Sequence, residues 1–264
     1  MLKENRMKRK LKNGDVVIGT WILGIRTPYI TKMIANAGFD YVQIDMEHSG
    51  MSIETVADLC FTASLSGLVP IVRPSGKAPY LVSRPLDCGA LGLLIPHVDE
   101  PEEAEAIVRW AKYPPLGERG AMLQGLPAGF EKRDCKEFVH TTNEETFISV
   151  QIESKKGIKN IDSILSVEGV DAAVIGRGDM ALDLGFPGQE LHPKVIECVE
   201  ILIDACQRHG KIPCMLMPDM ETAAYWIKKG IRHVTFGSEF TILMQTYQKA
   251  ASDLRSVIKD VMGK

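Results

Sequence analysis

Short runs of apolar and β-branched residues alternate along the chain with longer stretches in which apolar positions recur three and four apart. The short runs lie at 16–21 (VVIGTW), 41–45 (YVQID), 69–73 (VPIVR), 91–96 (LGLLIP), 146–153 (TFISVQIE), 171–176 (DAAVIG), 211–217 (KIPCMLM) and 233–237 (HVTFG). Each predicts a strand, and several are apolar throughout, as strands covered on both faces are. Between and after them, 28–37, 52–65, 78–87, 101–112, 154–166, 192–209, 219–229 and 239–258 carry helical spacing. Ser52, Ser154 and Asp219 stand as N-caps, and Gly38, Gly210 and Gly230 follow helix ends. Eight strand–helix units in a chain of 264 residues predict an α/β fold, a single (β/α)8 barrel spanning 1–264. A doubly wound sheet is the rival, but the turn after the first strand reads GTWILGIRTP and lacks the GxGxxG phosphate turn.

Two segments break the rhythm. Residues 113–145 form a connection far longer than usual, rich in Pro and Gly, with a short helix expected near 134–141. Residues 1–13 read as a basic, solvated arm; no apolar stretch follows to make them a secretory signal.

Composition narrows the function classes. Apolar residues make up 45% and charged residues 25%, enough for a sizeable core. A net charge of −3 argues against nucleic-acid binding. The longest apolar runs are strand-sized, so no membrane span is expected. The cysteines at 60, 88, 135, 198, 206 and 214 form no CxxC pair and read as free thiols in a cytoplasmic protein.

Active sites of such barrels form where the strands end. The strand ends deliver Trp21; Asp45, Glu47 and His48; Arg73; His97; Gln151 and Glu153; and Arg177, Gly178 and Asp179. Glu153 and Asp179 close neighbouring strands, which lie roughly 4.8 Å apart, so both carboxylates can reach one hard cation such as Mg²⁺ or Mn²⁺. The plainer alternative is a helix cap and an ordinary turn acid. Zinc would call on His48 and His97, but no HxxxH or CxxC supports it. Arg73 is either a rim ion pair or a cation placed where an enolate or carboxylate oxygen develops. His48 is either a satisfied histidine or, beside Asp45 and Glu47, a general acid–base group. A Schiff-base mechanism finds no lysine at a strand end, since Lys155 and Lys156 fall on the following helix.

Taken together, WILG, GFDYVQIDMEHS, IVRPS, LDCGALGLLIPHV, YPPLGERG, VQIES and EGVDAAVIGRGDMALDLG resemble the HpcH/HpaI aldolases, metal-dependent class II pyruvate aldolases, from about residue 14 to residue 245. The resemblance implies a barrel of the phosphoenolpyruvate/pyruvate type and reversible cleavage of a 4-hydroxy-2-oxo acid to pyruvate and an aldehyde through a metal-stabilised enolate. It implies that Glu153 and Asp179 hold the divalent ion and that Arg73 holds the keto oxygen. His48 is then the base, with Asp87 its partner across a subunit boundary. Gln151, Gly178 and Asp179 bind pyruvate, and Asp45, Glu47 and Trp21 support the site. A trimer or hexamer with helix 239–258 swapped onto a neighbour is also implied. Arg177-Gly178 and Met180-Ala181 depart from the pattern of relatives, which commonly carry Pro and a small residue before the acid and Leu-Ser after it; this bears on substrate preference. A citrate-lyase-like acyl-CoA lyase and a non-catalytic oxo-acid-binding barrel are the alternatives.

Overall fold

A computed structural model describes residues 4–263. In chain order the elements are α1 (Arg6–Lys12), β1 (Val17–Ile22), α2 (Tyr29–Asn36), β2 (Tyr41–Asp45), α3 (Ile53–Leu65), β3 (Val69–Arg73), α4 (Pro79–Asp87), β4 (Gly92–Ile95), α5 (Pro101–Ala111), a 3-10 turn (Leu126–Ala128) and α6 (Cys135–Glu145). They continue with β5 (Phe147–Ile152), α7 (Lys155–Lys159), α8 (Ile161–Ser166), β6 (Ala172–Ile175), α9 (Arg177–Asp183), α10 (Pro193–His209), β7 (Ile212–Met217), α11 (Met220–Lys229), β8 (His233–Ser238) and α12 (Glu239–Met262). The eight strands are parallel and close into a barrel in sequence order, β8 pairing with β1.

The pleat sorts side chains between two cores. Val17, Tyr41, Val69, Ile71, Leu94, Phe147, Ala172 and Cys214 fill the barrel, while their neighbours in sequence pack outward against the helices. Gly19 makes room for this filling, because a Cβ there would lie 2.3 Å from the Tyr41 ring. Ser52, Ser154 and Asp219 cap their helices as expected, accepting from Thr55, Gly157 and Thr222 backbone N–H groups.

Four local expectations need correction. The N-terminal arm is solvated on one face only: Glu4, Arg6, Arg9, Lys10 and Lys12 are exposed, while Asn5, Met7, Lys8 and Leu11 are buried, and its residues 1–3 lie outside the described residues. Met7 and Leu11, one turn apart, enter the barrel core, so α1 plugs the mouth at which the strands start. Lys8 Nζ donates to Thr146 O at 3.0 Å and lies 2.9 Å from Asp171, while the Asn5 amide donates to Leu91 O and Glu145 O. Segment 154–166 is two helices rather than one, broken where the Asn160 side chain is drawn to Asp99 O and Glu100 Oε2. The turn after β6 is itself a short helix, α9. The 113–145 connection contains α6 in a longer span than expected, with Phe138 packed on Tyr113 beneath it.

Candidate active site

The β2–β3 register sets Asp45 directly beside Arg73. Both share the inward parity of Tyr41, Gln43, Val69 and Ile71, so the pattern that fills the barrel also turns these two charges onto its upper rim. Arg73 Nε and Nη2 donate to the two Asp45 oxygens at 2.7 and 2.9 Å, a bidentate pair with Asp45 fully buried. Nη1 stands 3.1 Å from Glu47 Oε2, and the guanidinium lies 4.3 Å above the Trp21 ring. Asp45 also accepts the backbone N–H groups of Glu47 and His48, which fixes the turn that follows β2. Three of the five guanidinium N–H groups remain uncommitted to Asp45, and Arg73 lines the cleft above.

Across the barrel, Glu153 directly follows β5 and Gly176 directly follows β6, and Gly176 N donates to Ile152 O. Only glycine fits there, because a Cβ would sit 2.4 Å from Glu153 Oε2. Glu153 accepts from Gln151 Nε2 at 2.6 Å and from His97 N at 2.9 Å. Burial is the main force raising its pKa, offset by those two hydrogen bonds and by His97, and the nearby Asp179 charge raises it further. Asp179 stands in the first turn of α9, where the helix dipole favours an acid.

His97 joins the two halves. Its Nε2 lies 3.2 Å from Glu47 Oε1 and its Nδ1 3.0 Å from Glu153 Oε1. Its φ of +55° is a left-handed conformation for a residue with a Cβ, a strain of order 1 kcal/mol that the two carboxylates hold in place. Sequence reasoning placed His97 on the rim but missed this role. The available signal was a histidine directly after the fourth strand.

The cleft over this rim has a volume of about 540 Å³ and is lined by Trp21, His48, Arg73, Gln151, Gly178 and Asp179, among others. His48 is exposed, and its Nε2 is 3.9 Å from Glu47 Oε2, too far for a hydrogen bond. Asp87 is not brought to this site within one chain. α4 runs antiparallel to the strands, so Asp87 lies at the opposite end of the barrel, where it accepts from Arg119 Nη2 at 2.6 Å. Arg177 turns inward, its Nη2 donating to Leu216 O at 3.1 Å and lying 3.4 Å from Glu190.

The donor set suits a hard divalent cation. The Asp179 charge raises the cost of ionising Glu153, and Gln151 Oε1 is buried without a partner among the described residues. No group of three His, Cys, Asp or Glu side chains arranged for a metal occurs among the described residues. A cation here would therefore rely on amide, water and substrate oxygens, which Mg²⁺ or Mn²⁺ accepts and zinc does not favour.

Known proteins share this architecture over nearly the whole chain. The HpcH/HpaI aldolase/citrate lyase family model matches residues 18–246. The 4-hydroxy-2-oxo-heptane-1,7-dioate aldolase of Klebsiella pneumoniae subsp. pneumoniae is 34% identical, the match covering 94% of this chain and 93% of that protein. The crystal structure of an HpcH/HpaI aldolase from Desulfitobacterium hafniense DCB-2 is 36% identical, covers 96% of each chain and superposes with a TM-score of 0.89. The crystal structure of the citrate synthase SbnG is 30% identical, with coverage of 96% of this chain and 97% of that one and a TM-score of 0.83. The chain belongs to the HpcH/HpaI aldolase/citrate lyase family and is a carbon–carbon lyase.

Proposed function

We propose that this lyase cleaves a 4-hydroxy-2-oxo acid reversibly into pyruvate and an aldehyde. The observation that carries the reading is the pairing of a clamped cation, Arg73 on Asp45, with two acids, Glu153 and Asp179, on opposite sides of one open cleft. Arg73 faces the 2-oxo group and stabilises the oxygen that becomes negative when the C3–C4 bond breaks. His48, at the cleft edge, takes the proton of the 4-hydroxyl; the electrons of the C3–C4 bond pass into the pyruvate enolate and the aldehyde leaves. The enolate then takes a proton at C3 to give pyruvate. Gln151 and the backbone of Gly178 and Asp179 orient the pyruvate half. Glu153 and Asp179 would hold a divalent ion, Mg²⁺ or Mn²⁺, which when bound supplies Lewis-acid polarisation of the 2-oxo group.

Asp87 is assigned to the neighbouring copy's His48, in a homo-oligomer, trimer or hexamer. α12 supports that assembly, since Phe240, Met244, Tyr247, Leu254, Ile258 and Val261 are all exposed along it. The buried cysteines suit a cytoplasmic setting. No helix among the described residues is long and apolar enough to cross a membrane.

The test is pyruvate release from a panel of 4-hydroxy-2-oxo acids, with added Mn²⁺ and after exhaustive chelation. Full activity after chelation, or covalent trapping of pyruvate by borohydride, would overturn the reading. A second reading, condensation or cleavage of a citrate-type acid, follows from the likeness to the citrate synthase SbnG. Turnover of citrate or of an acyl-CoA, with no pyruvate formed, would favour it. Binding of pyruvate without turnover of any candidate would instead favour an oxo-acid sensor.

A further inference from the structure

Beyond Arg73 and His48 the cleft continues over the β6–β8 side, walled by Arg177, Glu190, Leu216, Thr241 and Gln245. The polar groups on this wall differ in what they have left to offer. The Arg177 side chain is only 5% exposed, and its Nη2 is committed to Leu216 O and Glu190. Burial lowers its pKa while Glu190 and Asp219 hold it up, so two acids face one arginine at this end. The Thr241 hydroxyl is spent on the N-terminal cap of α12, accepting from Ser238 N at 2.8 Å and donating to Ser238 O at 3.0 Å. Glu190 is different. Its side chain is half exposed, and its Oε1 lies over Gly178, 3.9 Å from where a Cβ on that glycine would be. A solvent-facing carboxylate therefore overhangs the first turn of α9, next to the position of the pyruvate half.

On the aldolase reading, this wall receives the aldehyde half of the substrate. We propose that Glu190, oriented by Arg177, selects a neutral aldehyde bearing a hydroxyl beside the carbonyl and rejects aldehydes that end in a carboxylate. A carboxylate accepts an O–H strongly, in a charge-assisted bond. The same charge repels a second carboxylate in a partly enclosed, poorly screened cleft, and Arg177 beside it is shared between Glu190 and Asp219. The preferred substrate thus differs in class from the diacid for which the curated relatives are named.

The test is the condensation direction, with saturating pyruvate, Mn²⁺ and the full-length enzyme. The readout is kcat/KM for both enantiomers of lactaldehyde, for propanal and for 4-oxobutanoate, with wild type, Glu190→Leu and Glu190→Gln. Ratios between aldehydes are independent of the fraction of enzyme folded. Wild type is expected to prefer one lactaldehyde enantiomer over propanal by about tenfold or more. Glu190→Leu should bring that ratio to within about twofold. Glu190→Gln should keep part of the preference, since its amide oxygen still accepts, and should raise 4-oxobutanoate relative to propanal severalfold. A lactaldehyde-to-propanal ratio near one in wild type, a ratio unchanged in Glu190→Leu, or 4-oxobutanoate unimproved in Glu190→Gln would each overturn the proposal. No turnover of any aldehyde by wild type would sink the aldolase reading itself and this proposal with it.

Discussion

The two mouths of the barrel are built from similar residue types and put to opposite uses. At the lower mouth, α1 closes the opening with Met7 and Leu11, and its polar groups are consumed by the strand starts: Lys8 by Thr146 and Asp171, Asn5 by Leu91 and Glu145. At the upper mouth a cleft stays open. Gln151 Oε1 is left unpartnered among the described residues, the exposed His48 imidazole stands 3.9 Å from Glu47 Oε2, and Glu153 is held in a site that resists its ionisation. Satisfied charges hold a fold together, whereas unsatisfied ones are kept for a ligand. The lower mouth thus serves stability, the upper one chemistry.

Substitutions should separate the two. Glu153→Gln removes an acid from the upper mouth with little change in shape. It should lower pyruvate release by roughly 10³-fold or more while leaving the melting temperature unchanged or raised, as one pole of electrostatic catalysis is lost. Preserved activity would remove Glu153 from the site. Arg73→Lys is expected to cost about 10²–10³-fold in kcat/KM. Because it breaks the bidentate clamp on a fully buried Asp45, it should also destabilise the fold by about 3 kcal/mol, which denaturant unfolding would read.

At the lower mouth, Leu11→Ala should destabilise the protein by about 2–4 kcal/mol through the cavity left in the plug. Its kcat/KM, measured well below the melting temperature, should stay within about twofold of wild type. A large loss of turnover in the folded variant would mean that the two ends are coupled.

The last effect is silent at neutral pH and concerns acid stability. His233 is fully buried between Tyr41 and Phe147, and burial pushes its pKa down to about 3. The unfolded chain protonates this histidine near 6.5 and the folded chain does not, so stability falls as pH drops from about 6.5 toward 3. His233→Phe should flatten that decline in melting temperature. An equally steep decline would assign the acid sensitivity to other groups.

Strand and helix positions were legible because burial on both faces produces continuous apolar runs, and helices repeat with a different period. All eight strands lie within a residue or so of their expected places. Two of the misjudged segments turn on long-range contact. KENRMKRKLK looks solvated until the barrel supplies a hole for Met7 and Leu11, and 154–166 looks continuous until Asp99 and Glu100 capture Asn160. Within the site, alternation from Tyr41 through Gln43 to Asp45, and from Val69 through Ile71 to Arg73, already pointed both charges inward. Nothing local marked the reach of His97 to both Glu47 and Glu153, because those acids lie 50 and 56 positions from it along the chain. The inward turn of Arg177 was equally hidden, since its partners Leu216 and Glu190 come from other elements.

The sequence by itself determined the barrel, the alternation that turns Asp45 and Arg73 inward on their strands, and the set of charged residues that reach one rim. Each of these follows from short-range periodicity, which is written into neighbouring positions. Only the tertiary structure decided which of those charges are spent on one another and which face the cleft open. That depends on distances between strands and loops far apart in the chain, where a difference of 1 Å separates a hydrogen bond from a free group.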